Sequence, residues 1–67
     1  MDVPSKYKEP PFKRLDLVQK KGGYRWPGVV VSVYQSLSGE WRVVVECTVP
    51  EIAGAQHIFN PEQIERR

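Results

Sequence analysis

Val29-Val30-Val31-Ser32-Val33-Tyr34, the polar break Ser36-Leu37-Ser38-Gly39-Glu40, and Trp41-Arg42-Val43-Val44-Val45-Glu46-Cys47 decide the fold of this chain. Both runs are β-branched and aromatic, residue types that suit a pleated, half-buried surface and lose side-chain freedom in a helix. The Gly-containing break has the length and polarity of a hairpin loop. Together the three segments predict a central antiparallel pair. The valine runs do not alternate cleanly with polar residues. A strand that is apolar on both faces needs cover on both sides, so the outer face of Val29 to Val33 or of Val43 to Val45 is expected to meet another subunit.

Upstream of this pair, Leu15 and Leu17 alternate with Arg14 and Asp16 as far as Val18, which predicts a short first strand, and Lys20-Lys21-Gly22-Gly23 supplies a turn. Downstream, Pro50 and Gly54 punctuate a loop, and Gln56 to Asn60 reads as a fourth strand. Pro61-Glu62-Gln63 reads as one turn of 3₁₀ helix, followed by a last short strand at Ile64 to Arg66. Five short strands with no helical period predict an all-β fold, a small five-stranded SH3-like barrel over residues 12–67. Residues 1–11 contain Pro4, Pro10 and Pro11, which block helix and ladder alike, and are expected to form a flexible N-terminal arm.

A chain of 67 residues buries a small share of its surface and is marginally stable alone. Its only cysteine, Cys47, precludes an intrachain disulfide, and no Cys/His cluster has zinc spacing, so no metal site is expected and oligomerisation remains as the stabilising route. Cys47 lies inside the third strand pattern and is expected to be buried and inert. A free thiol suits a reducing compartment. With no apolar run long enough for a bilayer and no signal-peptide pattern, the expected location is cytoplasmic, without a membrane partner. The net charge of +2 is uneven: residues 1–25 hold seven Lys/Arg against three acids, whereas residues 26–67 hold three against five. The first third therefore faces anions, and charge alone leaves nucleic acid and a phosphorylated or carboxylated small molecule both open.

From Phe12 to Arg66 the order of residues resembles the type II, plasmid-borne and trimethoprim-resistant class of dihydrofolate reductase. The matching features are a Phe and an Asp leading into the first strand, Lys20-Lys21, a Gly, Trp26, Gly28 and Tyr34. Val45-Glu46, Gly54, Ile58, an aromatic at Phe59 and Ile64-Glu65-Arg66 follow in order once two extra residues are allowed within Thr48 to Ala53. The resemblance implies a homotetramer around a central pore in which every lining residue occurs four times, with NADPH as cofactor and dihydrofolate as substrate. The extra residues fall where this family places contacts between dimers, so a dimer is the other assembly to consider.

In that family the pore strand is Val-Gln-Ile-Tyr preceded by Ser; here it is Gln56, His57, Ile58 and Phe59 preceded by Ala55. By resemblance His57 stacks against the pteridine and nicotinamide rings, Ile58 touches both ligands, and Lys20 meets cofactor phosphate and the folate tail at the pore mouth. Phe59 lacks the hydroxyl found at its position, and Ala55 lacks another. The resemblance thus makes His57, Ile58 and Phe59 the catalytic set, and Lys20, Ala55, Gln56, His57, Ile58 and Phe59 the cofactor-binding set. The family's chemistry is positional, bringing a hydride donor and its acceptor together without a dedicated acid, so the missing carboxylate near Gln56 to Phe59 is no obstacle. The two lost hydroxyls imply weaker or retuned binding, at about 0.5–1.5 kcal/mol for each neutral hydrogen bond.

Two other functions compete with this one. Tyr24, Trp26, Tyr34 and Phe59 on an SH3-like barrel would make an aromatic cage or groove for a methylated amine or a Pro-rich peptide, and a non-catalytic binding module for a peptide or another anionic planar ligand is the alternative to an enzyme. Lys13, Arg14, Lys20, Lys21 and Arg25 would serve a nucleic acid, but no strand interleaves basic with aromatic residues and the later strands are acidic, which makes nucleic acid the weakest partner.

Overall fold

The computed structural model describes residues 9–67. Residues 1–8 of the expected arm, with Lys6 and Lys8, lie outside the described residues. The chain is all-β, with strands β1 (Leu17–Lys20), β2 (Gly28–Gln35), β3 (Trp41–Cys47), β4 (Gln56–Phe59) and β5 (Ile64–Arg66) and two 3₁₀ turns, Pro50–Ile52 and Pro61–Gln63. The strands make one antiparallel sheet in the order β4-β3-β2-β1-β5. No helix among the described residues is long and apolar enough to cross a membrane.

The predicted hairpin is present. β2 and β3 pair from Gly28 with Cys47 to Gln35 with Trp41, and the register shifts between Val30 and Ser32, so Val31 is an extra, bulged residue. This bulge explains the unbroken valine run. It resets the alternation, turning Val30 and Val33 to the core side and Ser32 to the opposite face, while on β3 Val43, Val45 and Cys47 point inward. The core comprises Phe12, Val18, Val30, Val43, Val45, Phe59 and Ile64, with Trp26 and Val33 packed at its margin.

The first strand begins later than the Leu/polar alternation predicts. Leu15 sits at φ 77°, in the left-handed region, inside a turn where the Asp16 N–H donates to the Lys13 carbonyl and the Lys13 N–H to the Asp16 carboxylate. Leu15 and Leu17 are exposed, and the apolar anchor of this segment is Phe12, under the Arg66 guanidinium at 4.8 Å. Arg66 also pairs with Asp16 at 3.2 Å and donates to the Pro11 carbonyl, so the last strand ties down the entry to the first.

Between β3 and β4 the extra loop residues are closed by the Cys47 N–H to the Ala55 carbonyl and the Gly54 N–H to the Cys47 carbonyl. Cys47 is buried, as its position in the strand predicts. Gly28 pairs with Val18 on β1 and Cys47 on β3, and β3 approaches it closely: a side-chain Cβ there would overlap the Glu46 carbonyl and lie 2.6 Å from Val45 Cγ1. Both neighbours belong to the ladder and cannot move cheaply. Gly28→Ala is therefore expected to lower stability by about 1–3 kcal/mol, read as a fall in the urea midpoint with unchanged slope.

Candidate functional site

At one end of the sheet the β1–β2 loop, β4 and the second 3₁₀ turn meet around an open pocket of about 210 Å³ lined by Lys20, Tyr24, Trp26, His57, Phe59 and Gln63. The loop owes its shape to backbone chemistry. Gly22 and Gly23 take φ values of 67° and 56°, which glycine adopts without steric cost, and the Lys20 N–H bonds the Arg25 carbonyl to close the turn. Trp26 follows at φ 45°, a conformation that costs a bulky residue of order 1–3 kcal/mol and persists only when its surroundings enforce it. What enforces it is visible. The indole Nε1–H donates to the Val45 carbonyl at 3.4 Å, and the ring lies 6.5 Å from Phe59 and 5.7 Å from His57.

The opposite wall comes from β4. Val45 pairs with His57 and Val43 with Phe59, so both rings stand on the core side of the sheet, their centroids 4.4 Å apart. Phe59 is buried, whereas His57 is exposed at the rim. Gln63 forms part of a third side and is held by the Asn60 N–H, which donates to Gln63 Oε1 at 2.9 Å, and by its own N–H, which donates to the Asn60 carbonyl. Its carbonyl accepts the Lys21 N–H, tying this turn to the loop. Lys20 is the cation among the lining residues, and no carboxylate lines the pocket beside it.

The six residues assigned by resemblance are thus divided. Lys20, His57 and Phe59 share this pocket. Ile58, more than half exposed, pairs with Val44 on the other face of β4; Gln56 donates to the Glu46 carboxylate there at 3.1 Å, and the Ala55 carbonyl is occupied by the Cys47 N–H. Of the proposed aromatic cage, Tyr24, Trp26 and Phe59 are together, while Tyr34 pairs with Arg42 toward the far end of the hairpin and takes no part. The basic set is split as well. Lys13 and Arg14 border a separate open groove with Pro10, Phe12 and Val31 to Val33, and Arg25 faces Glu65 at 4.0 Å.

Gln63 had no signal in the sequence beyond its place in a Pro-Glu-Gln turn. Trp26 is half-buried and walls the pocket. The arrangement offers an apolar, ring-lined slot with one ammonium at its edge, which is the chemistry for a flat ring carrying an anionic group. Comparison with protein-family models and with curated proteins finds no match for this chain.

Since Phe59 is core and His57 is rim, their truncations separate. Phe59→Ala is expected to cost about 3–5 kcal/mol. His57→Ala gives up two ring contacts, to Phe59 and Trp26, at an exposed position and is expected to cost less, about 1–3 kcal/mol. Chemical denaturation of both variants reads the difference.

Proposed function

We propose that this chain is a type II dihydrofolate reductase-like protein, binding NADPH and dihydrofolate in a pore shared by four subunits, as an SH3-like barrel of the kind the sequence resembles. The observation that carries the proposal is the convergence of Lys20, from the end of β1, with His57 and Phe59, from β4, on one ring-lined pocket. The size of that pocket points the same way. At about 210 Å³ it falls short of the roughly 300–1,000 Å³ that encloses a drug-sized ligand, so one chain supplies a wall and further copies complete the site. Ile58, Leu17 and Val44 on the outer sheet face leave apolar surface for such copies.

The residues fit the two ligands by donor type. Lys20 holds phosphate or the folate carboxylates, and the His57 and Phe59 rings, tilted 39° to one another, offer an aromatic wall to the nicotinamide or the pterin. When bound, NADPH supplies the hydride. The chain's own part is to hold two rings face to face, exclude water with Trp26 and Phe59, and concentrate anions with repeated lysines. His57 also offers a donor and an acceptor to the ring edges, a capacity shared with the glutamine found at this position in the family.

A second reading is favoured by the openness of the same pocket on a single chain: Tyr24, Trp26, His57 and Phe59 would then form a binding module for a planar ligand or peptide, without catalysis. Light scattering separates the two. A species near four times 7.7 kDa that oxidises NADPH in the presence of dihydrofolate supports the reductase, and a monomer with no turnover rejects it. In the tetramer, His57→Gln combined with Phe59→Tyr is expected to raise turnover. Lys20→Met is expected to cost about 1.5–3 kcal/mol of NADPH binding, the range for a charge-assisted hydrogen bond.

A further inference from the structure

Tyr24 belongs to neither the catalytic nor the cofactor-binding set of the reductase reading, yet it stands in the pocket with Lys20. Its ring is set edge-on against Trp26, with centroids 6.3 Å apart and planes at 81°. Trp26 in turn is fixed by the Val45 carbonyl and by its left-handed backbone. The ring is thus supported on one side, while more than half of the residue faces solvent and its hydroxyl has no hydrogen-bond partner among the described residues. A supported phenol with a free donor beside a cation is arranged for an external acceptor.

The cation is held close by. The Lys20 ammonium lies 4.0 Å from where a Cβ on Gly23, the residue before Tyr24, would stand, so the lysine folds back over the loop. An oxyanion at this place would meet an ammonium and a phenol, with no lining carboxylate to repel it.

We propose that Tyr24 is a ligand-binding residue whose hydroxyl, beside the Lys20 ammonium, donates to an oxyanion of the bound ligand. This deepens the reductase reading and rests on it for the identity of the ligand. It also gives the pocket a hydroxyl donor from the β1–β2 loop, where Phe59 supplies none. The oxyanion is either a cofactor phosphate or a carboxylate of the folate tail. Both present the same chemistry to Tyr24.

The test uses Tyr24→Phe, which keeps the ring on Trp26 and removes only the donor. Binding of NADPH, dihydrofolate and inorganic pyrophosphate to the full chain is followed by calorimetry, and by NMR of the loop amides and the Tyr24 ring. Tyr24→Phe is expected to weaken at least one of these anions about two- to tenfold, the equivalent of one hydrogen bond, with an unchanged melting temperature. A loss for NADPH assigns the oxyanion to the cofactor; a loss for dihydrofolate assigns it to the tail. Combined with Lys20→Met, the two losses are expected to be less than additive, because both groups hold one oxyanion. Pyrophosphate binding at Tyr24 without NADPH binding would uphold this inference while removing the reductase reading. Equal affinities of wild type and Tyr24→Phe for all three anions, or no binding of any of them, would overturn it.

Discussion

The ladder between β2 and β3 is the constraint on which the rest of the chain depends. It is the longest pairing among the described residues, and each half of the pocket hangs from one of its strands. Trp26 stands two residues before β2, and His57 and Phe59 stand on β4, which pairs with β3. Val45 joins the two. Its side chain is fully buried in the core, its carbonyl accepts the Trp26 indole, and it faces His57 across the β3–β4 register. A one-residue slip of β3 against β2 would turn Val43 and Val45 outward and dismantle core and pocket together. The bulge at Val31 and the close approach at Gly28 hold the register against that slip.

The strained backbone at Trp26 acquires a meaning from this geometry. A tryptophan in the left-handed region is costly, and this one serves three neighbours at once: the Val45 carbonyl, the His57–Phe59 pair and the Tyr24 ring. A relaxed conformation would release all three. The two preceding glycines with positive φ allow the chain to double back in so few residues, and the Lys20-to-Arg25 backbone bond fixes the result. The pocket therefore rests on a short, tightly constrained turn braced against the core.

Much of the strand layout was legible in the sequence, because β-branched runs separated by Gly- and Pro-marked breaks leave few other solutions. β2, β3, β4, the Pro61–Gln63 turn and β5 fall within a residue or two of their expected places. The first strand is present but starts at Leu17, later than the alternation implies, because Leu15 is part of a turn and both leucines face outward. The 3₁₀ turn at Pro50–Ile52 was hidden in what reads as plain loop. For the site, Lys20, His57 and Phe59, and Tyr24 and Trp26 as cage residues, are named from the sequence and prove to be neighbours, but no local pattern could bring Gln63 beside them. Its proximity is made by pairing of β1 with β5, a contact between segments some forty-five residues apart in sequence, beyond the reach of periodicity.

The buried thiol of Cys47 gives this small protein an internal gauge of its own opening. It is 2% exposed at the end of β3, paired with Gly28 and hydrogen-bonded through its backbone to Ala55 and Gly54. A thiol reagent reaches such a sulfur only when the structure around the end of β3 opens. Because the sequence contains no second cysteine, the labelling rate reports that one event without interference. A reagent too bulky for the closed space would then prevent reclosure, converting a transient excursion into a permanent loss of the wall that carries His57 and Phe59.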